Sequence, residues 1–151
     1  ILAIEPNGPP FHESAVTGAP GWFEDGPIGR RWGITRGPLT YDPPANDPAD
    51  LKMTRQEKAS GPDLVRCWLP GDRRELPNLK GIPILIVVSE ASYHAPYDHC
   101  TSEYLTQSGV KNDFVRLPDL GIRGNGHMMM LEKNNLEIAA FLVDWAQKNI
   151  R

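Results

Sequence analysis

An α/β layer with parallel strands is the fold class this sequence predicts, and three features of its second half carry that reading. The segment "IPILIVVSE" at residues 82–90 is a continuous, β-branched apolar run. A strand with water on one face alternates polar and apolar residues, so an unbroken run belongs to a parallel strand covered on both faces. From Gly81 onward the pattern reads strand, helix, strand, helix, the alternation that builds parallel sheets through crossover connections. Near the end, Leu131, Ile138, Leu142 and Trp145 recur at helical spacing, which gives the last helix an apolar face to lay on a sheet.

Taken in order, residues 1–5 read as a short apolar strand. The segment "EPNGPPF" ends it, because Pro6, Pro9 and Pro10 stop helix and ladder alike and Gly8 supplies turn chemistry. Residues 11 to about 80 hold most of the 15 prolines and many of the 14 glycines. Within them "NDPADLKMTRQEKASG" predicts a helix, with Asp47 as N-cap, Pro48 at the first position, Asp50 in the first turn and Gly61 closing the end. A second short helix is expected around "PDLVRCWLP". Irregular insertions of this length usually serve a function, often as lids. Trp22, Phe23, Trp32, Tyr41 and Trp68 have no use in a solvated linker. The expected division is therefore a core made of residues 1–10 and 81–151, and a lid or cap made of residues 11–80.

After the strand at 82–90 a helix is expected from about Asp98 to Ser108, closed by Gly109, with Asp98 also suited to its N-cap. "DFVRL" gives the next strand, and "GIRGNGHMMMLEKNN" a glycine-punctuated loop. Asn134 with Glu137 three residues on is a capping-box-like start for the final helix. No internal repeat is present.

The 151 residues are enough for one domain with a sizeable core, and 40% hydrophobic with 23% charged residues is ordinary for a folded soluble protein. A net charge of −3 offers nothing to nucleic acid or to an anionic membrane. The longest apolar run is far too short to span a bilayer. The chain opens "ILAIEP", already inside an apolar run, which reads as the C-terminal part of a longer protein and leaves the compartment unassigned. Cys67 and Cys100 can form one bridge or remain two separate buried thiols, and the sequence leaves both open.

In open parallel sheets, ligand sites gather beyond the carboxyl ends of the strands. That rule selects Glu5 after the first strand, Glu90 to Asp98 after the second, and His127 after the third. An acid and a histidine on neighbouring loops are two members of a nucleophile–histidine–acid relay, in which the acid fixes the imidazole's tautomer and stabilises its cation. Gly124 and Gly126 allow the tight bend that would aim His127 over the sheet edge. Of Met128, Met129 and Met130, only some can face a pocket, since neighbouring side chains diverge. The spacing of His94, Asp98, His99 and Cys100 matches no zinc pattern, so no metal or other cofactor is expected. Tyr93 and His94 are expected to face a cleft, with His99 on the helix.

The segments "AIEPNGPPF", "GPLTYDPP", "SEASYHAPYDHCTSEYLTQSG" and "GNGHMMMLEKNN" together resemble an esterase-like branch of the α/β-hydrolase superfamily, over most of the chain. The resemblance implies the last three parallel strands of that fold, His127 as catalytic base, and a carboxylic ester or lactone as substrate, cleaved through an acyl-enzyme. Many members place the acid after the second of these strands, at Glu90 or Asp98. The branch resembled here places it one strand earlier, at Glu5, where Pro6 is expected to hold the backbone extended. Trp32, Tyr93, His94 and Met128 are then the expected substrate contacts. The elbow pattern G-x-S-x-G occurs nowhere in residues 1–151. The resemblance therefore implies a nucleophile and most of an oxyanion hole upstream of Ile1, in a missing N-terminal part, and no turnover by this chain alone. Dehalogenase or carbon–carbon hydrolase chemistry, or a binding module without chemistry, are the alternatives.

Overall fold

The run "LIVV" forms the centre of a three-stranded parallel sheet in the computed structural model, which describes residues 1–12 and 29–150. Strand β1 (Leu2–Ile4) pairs with β4 (Leu85–Val88), which pairs in turn with β5 (Asp113–Arg116). All four residues of β4 are buried, and the period-2 geometry of a strand sends them alternately to two cores. On one face Ile84 and Ile86 join Phe11, Trp32, Tyr41 and Tyr104. On the other, Leu85 and Val87 meet Leu117, Ile122, Met129 and Trp145. Each fully buried side chain of this size contributes roughly 1.5–3 kcal/mol, so the continuous run stabilises both layers at once.

Helix α1 (His99–Gln107) follows β4, and α2 (Asn135–Asn149) follows β5. Gly109 closes the turn after α1 at φ +73°, the left-handed conformation a glycine adopts without penalty. Helix α2 buries Ile138 and Trp145, whose indole N–H donates to Asp113 at 2.7 Å. Leu131 does not share that face: it lies in a 3-10 turn before the helix and is 77% exposed. Asn134 does not cap α2 with its side chain. The amide is engaged with Asn125 instead, giving and receiving hydrogen bonds of 3.2 and 2.6 Å.

The expected helix over residues 46–61 is not formed. Its start signals act as predicted: Asp47 accepts from the Ala49 N–H, and Asp50 reaches back to the Asp47 N–H in a full capping box. Only a 3-10 turn, Pro48–Leu51, results, and Lys52 ends it in the left-handed region. Beyond Leu51 the segment carries no apolar stripe, and a helix nucleus with nothing to bury does not propagate. The chain turns instead into β2 (Thr54–Arg55), antiparallel to β3 (Trp68–Leu69). Strand β3 replaces the second short helix expected around residues 62–70.

Cys67 and Cys100 form a disulfide, which resolves the alternative the sequence left open. The bridge ties the residue before β3 to the first turn of α1. Residues 29–80 are thus tied covalently to helix α1 and pack against the main sheet through the Phe11–Tyr104 core. Trp22 and Phe23 lie outside the described residues.

Candidate active site

Glu5 ends β1 and is the anchor of the site. Its amide still donates to Val87 O at 2.9 Å, as the last rung of the sheet. Its φ is then +46°, so the expected extended backbone before Pro6 is not what is found. The left-handed turn rotates the side chain inward, and Glu5 is only 5% exposed. A non-glycine residue held in this region is strained, and the surroundings repay the strain with hydrogen bonds. Oε1 accepts from the Ser89 N–H at 2.8 Å, and Oε2 accepts from Ser92 Oγ at 2.7 Å. The turn that follows is pinned by the buried Arg30, which donates to the carbonyls of Gly8, Pro9 and His12. His12 lies buried there with Nδ1 3.2 Å from Pro10 O.

His127 completes the carboxylate's set: its Nδ1 lies 2.6 Å from Glu5 Oε2 across 122 residues of chain. A carboxylate only accepts, so Nδ1 carries the proton and Nε2 presents its lone pair. The imidazole is 36% exposed while the Glu5 side chain is 1% exposed. A sealed carboxylate thus stands behind an accessible imidazole.

Four contacts hold the loop that delivers His127. Gly124 takes φ +77° and donates its N–H to Glu90 at 2.9 Å. The Asn125 carbonyl accepts from the Ala91 N–H at 2.9 Å, and its side chain pairs with Asn134. Gly126, without positive φ, donates to Glu132 at 3.1 Å. Glu90, an alternative acid by sequence, is thus a loop support; Arg123 also donates to it at 2.7 Å and, after the Gly124 bond, keeps its carboxyl below the usual range.

Asp98, the other alternative, does not cap α1. It is fully buried, with its two oxygens 3.0 and 3.2 Å from Nδ1 of His94. Burial lowers His94 to about 4, and burial with the nearby charge of Glu5 raises Asp98 to about 9. The pair is therefore held without net charge around neutral pH. The His94 ring stacks on that of His127, with centroids 4.6 Å apart and planes 5° from parallel. Tyr93, 50% exposed, tilts against His127 at 4.9 Å.

The other expected contacts divide. Met128, next to His127 in sequence, and Met130 are both exposed, while Met129 is core. Trp32, expected to grip substrate, is buried in the Phe11–Tyr104 cluster and accepts a hydrogen bond from Tyr41 at its carbonyl. Two groups of possible metal ligands occur among the described residues. In one, Cys67, His99 and Cys100, both sulfurs are committed to the disulfide. In the other, Glu5, His94 and His127, a hydrogen bond joins Glu5 to His127 Nδ1, and Asp98 holds His94 Nδ1. Sequence reasoning missed Ser89, Ser92 and Asn125. Their only signal was position, at the carboxyl ends of the same strands.

No family model matches the chain. Over 150 residues it is 45% identical to the probable secreted lipase phiG of a fungal species (strain ATCC 74256). The likeness is to a protein described as a lipase. It covers 98% of this chain and 39% of the relative, so the chain spans about two-fifths of that protein's length. The atomic-resolution structure of a novel bacterial esterase is 32% identical over 48% of this chain and 25% of its own, with a TM-score of 0.41. None of the helices among the described residues is long and apolar enough to cross a membrane.

Proposed function

We propose that the chain is the C-terminal part of a serine hydrolase of α/β-hydrolase fold, cleaving a carboxylic ester or lactone. The observation that carries the proposal is the 2.6 Å bond between His127 Nδ1 and a Glu5 carboxylate sealed from water. The likeness to a relative described as a lipase supports the substrate class. The word "secreted" in its description and the Cys67–Cys100 bridge both suit an oxidising compartment.

In this reading β1 is flanked by an upstream strand that leads to the nucleophile. The exposure of apolar Leu2 and Ile4, at 41% and 37%, is consistent with such a neighbour. His127 Nε2 takes the hydroxyl proton of the serine as its oxygen bonds to the ester carbon. Glu5 stabilises the resulting imidazolium through Nδ1. Collapse of the tetrahedral intermediate expels the alcohol, which leaves with the proton from Nε2. Water then repeats the sequence on the acyl-enzyme, releasing the acid and restoring the serine. Residues 11–80 act as the cap over the site, and Tyr93 and Met128 beside His127 meet the acyl or alcohol group.

The test is hydrolysis of p-nitrophenyl esters by the intact polypeptide that contains the chain. Turnover abolished by His127→Ala and by replacement of an upstream glycine-flanked serine is the expected outcome. Full activity from residues 1–151 alone, or in the His127 variant, refutes the reading.

A further inference from the structure

The Glu5–His127 pair leaves one neighbouring group unused. His94 is 1% exposed, Asp98 is fully buried, and neither is reached by solvent. A buried polar pair carries a desolvation cost that apolar residues of similar size would not, so its position against His127 calls for a physical account. Three observations define what it touches. The His94 ring lies flat on His127. Its Nδ1 is held by both oxygens of Asp98, and its amide donates to Ser92 Oγ at 3.0 Å, the same hydroxyl that donates to Glu5. Its Nε2 is buried and makes no hydrogen bond among the described residues.

We propose that His94, locked by Asp98, is a positioning residue for His127: its flat face fixes the plane in which His127 Nδ1 stays on Glu5. The inference rests on the hydrolase reading above and adds to it a residue that acts through the base, not on substrate. A single hydrogen bond at Nδ1 leaves an imidazole free to swing about its Cβ–Cγ axis, and a ring laid parallel at 4.6 Å removes that freedom. Tyr93 closes in at a tilt, and Tyr97 packs on His94 at 4.9 Å. The groups around His94 are thus Asp98, Tyr93, Tyr97 and His127, with Glu5 near enough to act through its charge. An uncharged stacking partner suits this role, because a second cation at that distance would oppose the proton that His127 must carry.

Two double variants in the intact polypeptide separate the ring's face from its hydrogen bonds. Both His94→Phe/Asp98→Asn and His94→Leu/Asp98→Asn abolish the His–Asp bond, but only the first keeps a flat ring over His127. The phenylalanine variant is expected to retain kcat to within about 3-fold. The leucine variant should lose at least about 10-fold in kcat, with KM within about 2-fold, since misaligned catalytic groups cost rate more than binding. In parallel, the imidazole nitrogen resonances of His127 should keep a protected Nδ1–H signal in the first variant and lose it in the second. Equal kcat and equal Nδ1–H signals in the two variants overturn the proposal. The resonance measurement needs no turnover. If His127→Ala leaves ester hydrolysis intact, the hydrolase reading falls, and the clamp is still judged separately.

Discussion

Two histidine–carboxylate pairs lie face to face in this protein, and they differ in almost everything except their chemistry. His127 and Glu5 meet at 2.6 Å across 122 residues, with the imidazole over one-third exposed. His94 and Asp98 meet at 3.0 Å four residues apart, with both side chains sealed. The open pair has a lone pair that an incoming group can reach. The sealed pair has none, and burial holds it without net charge. Access to solvent, more than residue type, separates a group that can move a proton from one that can only hold a neighbour in place.

The largest expected effect tests that division at its strongest point. Glu5→Gln and His127→Ala should each lower kcat for ester hydrolysis on the order of 10³–10⁴-fold, whereas Asp98→Asn should cost far less. Comparable losses from Glu5→Gln and Asp98→Asn would erase the distinction between the pairs.

The disulfide sharpens it next. Cys100 lies in the first turn of α1, beside Asp98, and the bridge spans 33 residues. Cys67→Ser/Cys100→Ser should lower unfolding free energy by about 3–4 kcal/mol on loop-closure grounds, measured by denaturant titration. The loss should fall on stability and on the sealed pair's helix, with the Glu5–His127 resonances preserved at low denaturant.

A third outcome concerns pH. Asp98, raised from its ordinary 3.8 to about 9, keeps its proton in the folded state while the unfolded chain releases it, so its contribution to stability is lost as pH rises across that window. His94, lowered from 6.5 to about 4, acts in the opposite sense between those values. Above pH 6.5 only the Asp98 effect remains. Stability should fall on the order of 2 kcal/mol over the next two pH units, and Asp98→Asn should flatten the decline.

The smallest effect belongs to the residue the two pairs share. Ser92 Oγ donates to Glu5 and accepts from the His94 amide. Ser92→Ala should cost about 1.5 kcal/mol of stability, the usual loss for a hydrogen bond to a charged group. A rise in stability on its removal would show that Glu5 does not need that donor.

The open pair was legible in sequence because its members sit where strand-end geometry puts functional groups. Glu5 follows one apolar run, and His127 sits in a glycine-bearing loop after another. What held them was not legible. The left-handed turn at Glu5 arises from tertiary hydrogen bonds to Ser89 and Ser92, against the local preference of a residue before proline. Asp98 and Asn134 looked like helix caps because the same side chains cap helices elsewhere, yet each side chain bonds to another side chain instead, His94 or Asn125. The 46–61 segment carried a genuine start signal with no apolar face behind it, and its fate was decided by pairing between Gln56 and Cys67. The disulfide depended on the same distant pairing, which spacing alone does not reveal.

Fluorophosphonate labelling of the intact polypeptide tests the role of His127 most directly. Rapid, stoichiometric modification of one upstream serine in the wild type is expected, falling at least about 100-fold in rate in His127→Ala. Undiminished labelling in that variant would contradict the assignment of His127 as the base.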